Sequence, residues 1–126
     1  MKPEKTRKSI EFIEQDEQFI KQISKEVGCH YCKINKLTFN LSTFDTALPG
    51  NRSVFAWVHK EEKDYFWVAT RKSWLDEARN VSATTHFPLN TQDGDTISFD
   101  ITEKYDDTIR VLKLLNDKHA LKAAIA

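Results

Sequence analysis

The sequence predicts an α+β domain of two layers, with an antiparallel sheet of about five strands and long helices at both ends of the chain. Apolar residues repeat with a helical period near each end, and they alternate with a strand period in between. The connections are short, which favours antiparallel neighbours. With 126 residues, the chain suits one domain. We predict a basic flexible tail at residues 1–8 and a single α+β domain at residues 9–126.

Three helices are expected. Residues 9–27 carry an apolar stripe at helical spacing, acidic residues in the early half and lysines near the end, and Gly28 follows as a C-cap. A short middle helix is predicted at residues 74–79. Asp106 or Asp107 caps the final helix, whose buried stripe includes Leu112 and Leu115.

Five strands follow from two-residue alternation and from turn residues such as Asp93-Gly94, which suits a tight hairpin. Pro88 cannot donate a ladder hydrogen bond, so its strand is expected to be interrupted or to lie at an edge. The predicted strands are residues 36–42, 54–60, 64–70, 84–91 and 96–101.

The hairpin of residues 54–60 and 64–70 is apolar on both faces. If residues 61–63 form its loop, Lys60 opposes Asp64 and Trp57 opposes Trp67, since loop length sets the register. One face then carries aliphatic residues such as Val58 and Val68. The other face, which we call the aromatic face, carries Phe55, Trp57, His59, Tyr65, Trp67 and Ala69.

An aromatic face of this size needs a cover, because a large apolar patch on a surface usually marks an interface or a groove. Three covers are open: another part of the same chain, such as the helix at Trp74 or residues 44–51; a second copy of the chain; or a ligand stacked on the rings, single-stranded nucleic acid included. We predict Phe55, Trp57, His59, Tyr65 and Trp67 as binding or interface residues, and His86, Arg52 and Arg71 as a candidate polar site.

Composition excludes several classes of protein. Nineteen basic and nineteen acidic residues give a formal net charge of zero, which does not suit a duplex DNA binder. No signal peptide is apparent and no apolar run is long enough for a membrane helix, so we expect a cytoplasmic protein without membrane contact.

Catalytic signatures are weak. Cys29-His30-Tyr31-Cys32 has the C-x-x-C spacing, but it follows a helix instead of leading into one, and four zinc ligands are not apparent. Two small semi-buried side chains are the simpler interpretation. We predict no metal and no cofactor.

Three functional hypotheses follow from the sequence. A non-enzymatic binding protein, functioning as a homodimer, is the leading hypothesis. An accessory single-stranded nucleic-acid or small-ligand protein is the second, and a small hydrolase or nuclease using His86 the third.

One resemblance lies in the second half of the chain. The succession includes His86, the turn at Asp93-Gly94-Asp95, the alternation through Ile97, Phe99 and Ile101, and a last helix after Asp107. It resembles a small uncharacterised α+β domain often fused to predicted transport or DNA-metabolism proteins. The glycine-rich stretch usual after the histidine is replaced by residues 87–90. The resemblance implies a fold and a binding role, with no catalytic residues to transfer.

Overall fold

The computed structural model describes residues 9–44, 54–62, 65–81, 91–93 and 96–125. It confirms an α+β fold with an antiparallel sheet. In chain order the elements are α1 (Asp16–Val27), β1 (His30–Asn35), β2 (Thr38–Ser42), β3 (Val54–Glu62), β4 (Tyr65–Arg71), α2 (Lys72–Val81), β5 (Thr91–Asp93), β6 (Thr96–Phe99) and α3 (Tyr105–Ile125).

Within the described residues the sheet has six strands, in the order β1-β2-β3-β4-β6-β5. The strand missing from the prediction is β1, whose residues are mostly exposed and lack an alternating apolar pattern. Most of the predicted strand at residues 84–91 lies outside the described residues, and β5 covers Thr91–Asp93. The core lies between the helices and the sheet face that carries Phe39, Val58 and Val68.

Helix α1 begins at Asp16, so the prediction of a helix from residue 9 was wrong in its start. The chain before Asp16 is held by the sheet instead: the Ile10 N–H donates to the Lys60 carbonyl at 2.8 Å, and the Phe12 N–H donates to the Lys36 carbonyl at 3.0 Å. The helix ends as predicted, because Gly28 adopts the left-handed conformation with φ 83° and its N–H donates to the Ser24 carbonyl.

The other two helices are longer than predicted. Helix α2 begins at Lys72, directly after β4, and extends to Val81. Helix α3 begins at Tyr105, before the predicted caps, and is the longest helix described. Its residues Ile109, Leu112 and Leu115 are buried, which confirms the predicted stripe in that part of the helix.

The register of the β3–β4 hairpin differs from the prediction by two residues. Val58 pairs with Val68 and His59 pairs with Trp67, because β3 continues through Glu62 instead of entering a loop at residue 61. Side chains alternate with a period of two, so a shift of two residues changes partners and preserves faces. The predicted division into an aliphatic and an aromatic face therefore still holds for these pairs.

Phe55 does not lie with the aromatic residues. Leu41 of β2 pairs with Ala56, whereas Ser42 pairs with Val54, so Phe55 is an extra residue at an irregularity in the ladder. Such a bulge breaks the simple alternation of side chains. The Phe55 side chain is fully buried in the core, and its ring lies 5.9 Å from the His119 ring of α3.

Candidate functional site

The centre of the aromatic face is a stack of His59 on Trp67. Their ring centroids are 4.3 Å apart and the planes are inclined by 20°. Trp67 is buried within the single chain, at 9% exposure, and His59 is half-buried. Tyr65 is the first residue of β4, pairs with Glu62 and is also half-buried.

A backbone carbonyl fixes the orientation of the His59 ring. Its Nδ1 lies 3.2 Å from the Leu37 carbonyl and 3.3 Å from the Ser9 hydroxyl. Because a carbonyl only accepts hydrogen bonds, Nδ1 is the protonated nitrogen of the neutral ring. Burial lowers the pKa of His59, and the hydrogen bond with Leu37 partly opposes that effect.

The opposite end of this face is covered by the helix that follows β4. The Trp74 ring of α2 stacks on Trp57, with centroids 5.7 Å apart and planes inclined by 27°. The Trp74 ring also meets the His119 ring edge-on at 5.7 Å. Trp57 is therefore covered by its own chain, which is one of the three covers considered from the sequence. Trp57 and Trp74 both remain half-buried.

Arg71 lies at the junction of β4 and α2, beside both rings. The carbon at the centre of its guanidinium is 5.9 Å from the Trp57 ring centroid and 5.3 Å from that of Trp74. Arg71 is exposed, and within the described part of the chain no carboxylate pairs with it. We call Trp57, Arg71 and Trp74 the tryptophan patch.

The tryptophan patch combines two binding chemistries. Indole rings offer a surface on which a planar group can stack. A guanidinium held beside such rings presents a planar fork of N–H donors, which matches a phosphate or a carboxylate. The neighbouring Lys72 contributes less, because its amine is 3.1 Å from the Asp76 carboxylate.

The polar site predicted from the sequence comprises His86, Arg52 and Arg71. His86 and Arg52 lie outside the described residues, and only Arg71 of that group is placed. Lys60 of β3 is not available to a ligand at this surface, because it is buried at 3% exposure.

Sequence reasoning missed a buried ion pair between Asp16 and Lys60. The lysine amine is 2.7 Å from Asp16 Oδ2, and the same oxygen accepts from the Ile13 N–H at 2.7 Å. The alternation of side chains along β3 contained a signal for this ion pair, because Lys60 lies on the same face as Val58. Lys60 also pairs with Phe66 across the hairpin. A charged residue on an apolar face requires a partner, and the partner lies on α1.

The cysteines carry no described chemistry. Cys29 and Cys32 are free thiols, both half-buried, and burial raises the pKa of Cys29 to about 12. A thiol with so high a pKa is a poor nucleophile and a poor metal ligand near neutral pH. Within the described ranges, no group of three or more His, Cys, Asp or Glu side chains is arranged to hold a metal ion.

Comparisons with known proteins give no relative: no family model, curated protein or solved structure matches this chain. The resemblance noted for the second half therefore stays a prediction. None of the helices in the described residues is long and apolar enough to cross a membrane.

Proposed function

We propose that the protein is a non-enzymatic binding protein, and that the tryptophan patch receives a planar ligand that carries phosphate. The exposed Arg71 guanidinium, lying beside two indole rings without a carboxylate partner in the described residues, is the observation that supports this proposal. Single-stranded nucleic acid is the class we favour, because it joins bases that stack to phosphates that pair with arginine.

A direct test measures the binding of a fluorescently labelled oligothymidylate by anisotropy at several salt concentrations. We expect Arg71→Gln to weaken binding by at least tenfold and to reduce the salt dependence by about one phosphate contact. Arg110→Gln is the matched control, because Arg110 is an exposed arginine on α3 that pairs with Asp107. It should leave the affinity unchanged.

One further measurement defines the ligand. Thymidine monophosphate binding as tightly as the oligonucleotide would assign the patch to a nucleotide instead of a strand. Wild-type protein that does not bind the oligonucleotide at low salt, or equal losses in Arg71→Gln and Arg110→Gln, would contradict the proposal.

A cytoplasmic location remains a prediction. A homodimer that forms through the aromatic face is a separate proposal. Trp57, His59 and Tyr65 are each half-buried, so a second copy has apolar surface to cover there. Light scattering on the purified protein measures the assembly, and Tyr65→Ala should shift a dimer toward monomer. A monomer at all concentrations would exclude this proposal without bearing on the tryptophan patch.

A further inference from the structure

A groove lies at the other end of the β3–β4 hairpin from the tryptophan patch, where α1 and the start of α3 meet. Its volume is about 470 Å³, a size typical of small-molecule sites. Phe19 of α1 and Tyr105 of α3 form its sides, with ring centroids 6.1 Å apart. The Phe66 ring, 4.8 Å from that of Phe19, forms part of the apolar surface between them.

One charged side chain lines this groove, the carboxylate of Asp16. Asp16 is buried at 5% exposure. Its contacts in the described residues, with the Lys60 amine and the Ile13 N–H, both go to Oδ2. A carboxylate accepts hydrogen bonds on two oxygens, so Oδ1 is left as an acceptor for a further donor.

The surroundings of Tyr105 add negative charge beside the groove. The Tyr105 hydroxyl hydrogen bonds with Glu26, and Asp106 is its neighbour in sequence. Burial and these two carboxylates raise the pKa of Tyr105, although the hydrogen bond from Gln22 acts in the opposite direction. The Lys60 ammonium, which contacts the lining residue Asp16, is already paired with that carboxylate.

We propose that this groove binds a small organic cation, an amine carried on an aromatic ring. The ammonium group donates to Asp16 Oδ1, and the ring packs between Phe19, Phe66 and Tyr105. Aromatic faces also attract a cation within about 6 Å. A carboxylate or phosphate ligand is disfavoured, because no described lining residue is positively charged.

The test compares three probes of similar shape and different charge: 2-phenylethylamine, 2-phenylethanol and 3-phenylpropionate. Isothermal titration calorimetry on the full chain measures each affinity. We expect the amine to bind at least tenfold more tightly than the alcohol, and the carboxylate to show no binding. An alcohol that equals the amine, a carboxylate that binds best, or no binding by any probe would overturn the proposal.

A substitution at the rim locates the binding without disturbing the buried pair. Ile13 lines the groove and is 54% exposed, so Ile13→Lys adds a positive charge without emptying the core. It should reduce amine affinity by at least tenfold. Ile34→Lys is the matched control, because Ile34 is 50% exposed on the edge strand β1. Equal losses in the two variants, or no loss in Ile13→Lys, would place the amine elsewhere and contradict the assignment.

Discussion

Each end of the β3–β4 hairpin holds a cation beside aromatic rings, and the two cations differ in burial and in partners. Lys60 is buried, pairs with Asp16 at 2.7 Å and lies 5.8 Å from the Phe66 ring centroid. Arg71 is exposed beside Trp57 and Trp74 and has no carboxylate partner in the described residues. A charged side chain that is removed from water needs a partner of opposite charge, because its desolvation is costly. Lys60 is therefore structural, whereas Arg71 is available to a ligand.

The sharpest way to break this comparison is to remove the buried cation. We expect Lys60→Met to lower the free energy of unfolding by about 3–5 kcal/mol, because Asp16 is left buried without its partner. Urea denaturation measures the change. Asp16→Asn combined with Lys60→Met should recover most of the loss, since replacing both members of a buried pair is often close to neutral.

The exposed pair of Lys72 with Asp76 serves as the control. Lys72→Met should change the free energy of unfolding by less than about 1 kcal/mol, as is usual for surface pairs. If Lys60→Met were as mild as Lys72→Met, the Asp16–Lys60 pair would not be the buried structural contact described above.

A second prediction compares neighbouring aromatic residues of β3 that the irregularity at Phe55 separates. Phe55→Ala should destabilise the protein by about 3–5 kcal/mol, because it empties a space in the core. Trp57→Ala should cost less, because Trp57 is only half-buried and its ring stacks near the surface. Thermal unfolding ranks the two variants. The opposite ranking would contradict the burial of Phe55 in the core.

The third prediction concerns pH. Burial lowers the pKa of His59 below the usual value of 6.5, so the unfolded chain takes up this proton first as the pH falls. The contribution of His59 to stability is fully present above pH 6.5 and is lost as the pH falls through the folded pKa. The urea concentration at the midpoint of unfolding should therefore be lower at about pH 5.5 than at about pH 7.5.

His59→Phe isolates this effect, because phenylalanine preserves a ring against Trp67 and does not titrate. The variant should lose less stability than wild type over the same pH interval. An identical pH dependence in both proteins would assign the decline to other groups.

The smallest expected effect is the reactivity of Cys29. With its pKa raised to about 12, the thiol should resist iodoacetamide at about pH 8, because the thiolate is the reactive form. Mass spectrometry of the Cys32→Ser variant reports on Cys29 alone, and urea should restore its reactivity. Rapid alkylation of the folded variant would contradict the burial of this thiol.

Periodicity was enough to predict the fold class, because helical and strand repeats recur in long segments. The C-cap at Gly28 and the buried stripe with Leu112 and Leu115 were also predicted correctly. The start of α1 was predicted wrongly, because residues 9–15 have the apolar spacing of a helix, whereas the Ile10 and Phe12 N–H groups donate to carbonyls of Lys60 and Lys36. Tertiary hydrogen bonds override such local preference.

The candidate sites were harder to predict. Trp57 and Arg71 were identified from the sequence, but their meeting with Trp74 depends on α2 beginning directly after β4. The displacement of Phe55 depends on one irregular pair, which has no sequence signature here. The groove depends on Phe19, Phe66 and Tyr105, which are far apart in sequence and meet only where α1 and α3 pack beside β4.

The sheet order also bears on how the chain folds. Strands β1 to β4 are neighbours in both sequence and space, whereas β6 reaches β4 only after the chain has passed through α2. Local pairings close with less loss of chain entropy, so the first four strands are expected to assemble before β6 docks. Stopped-flow measurements test this order: Val58→Ala should slow refolding, while Phe99→Ala should mainly accelerate unfolding. Delayed pairing of β6 would leave one side of β4 exposed during folding, as a transient edge on which two immature chains can associate.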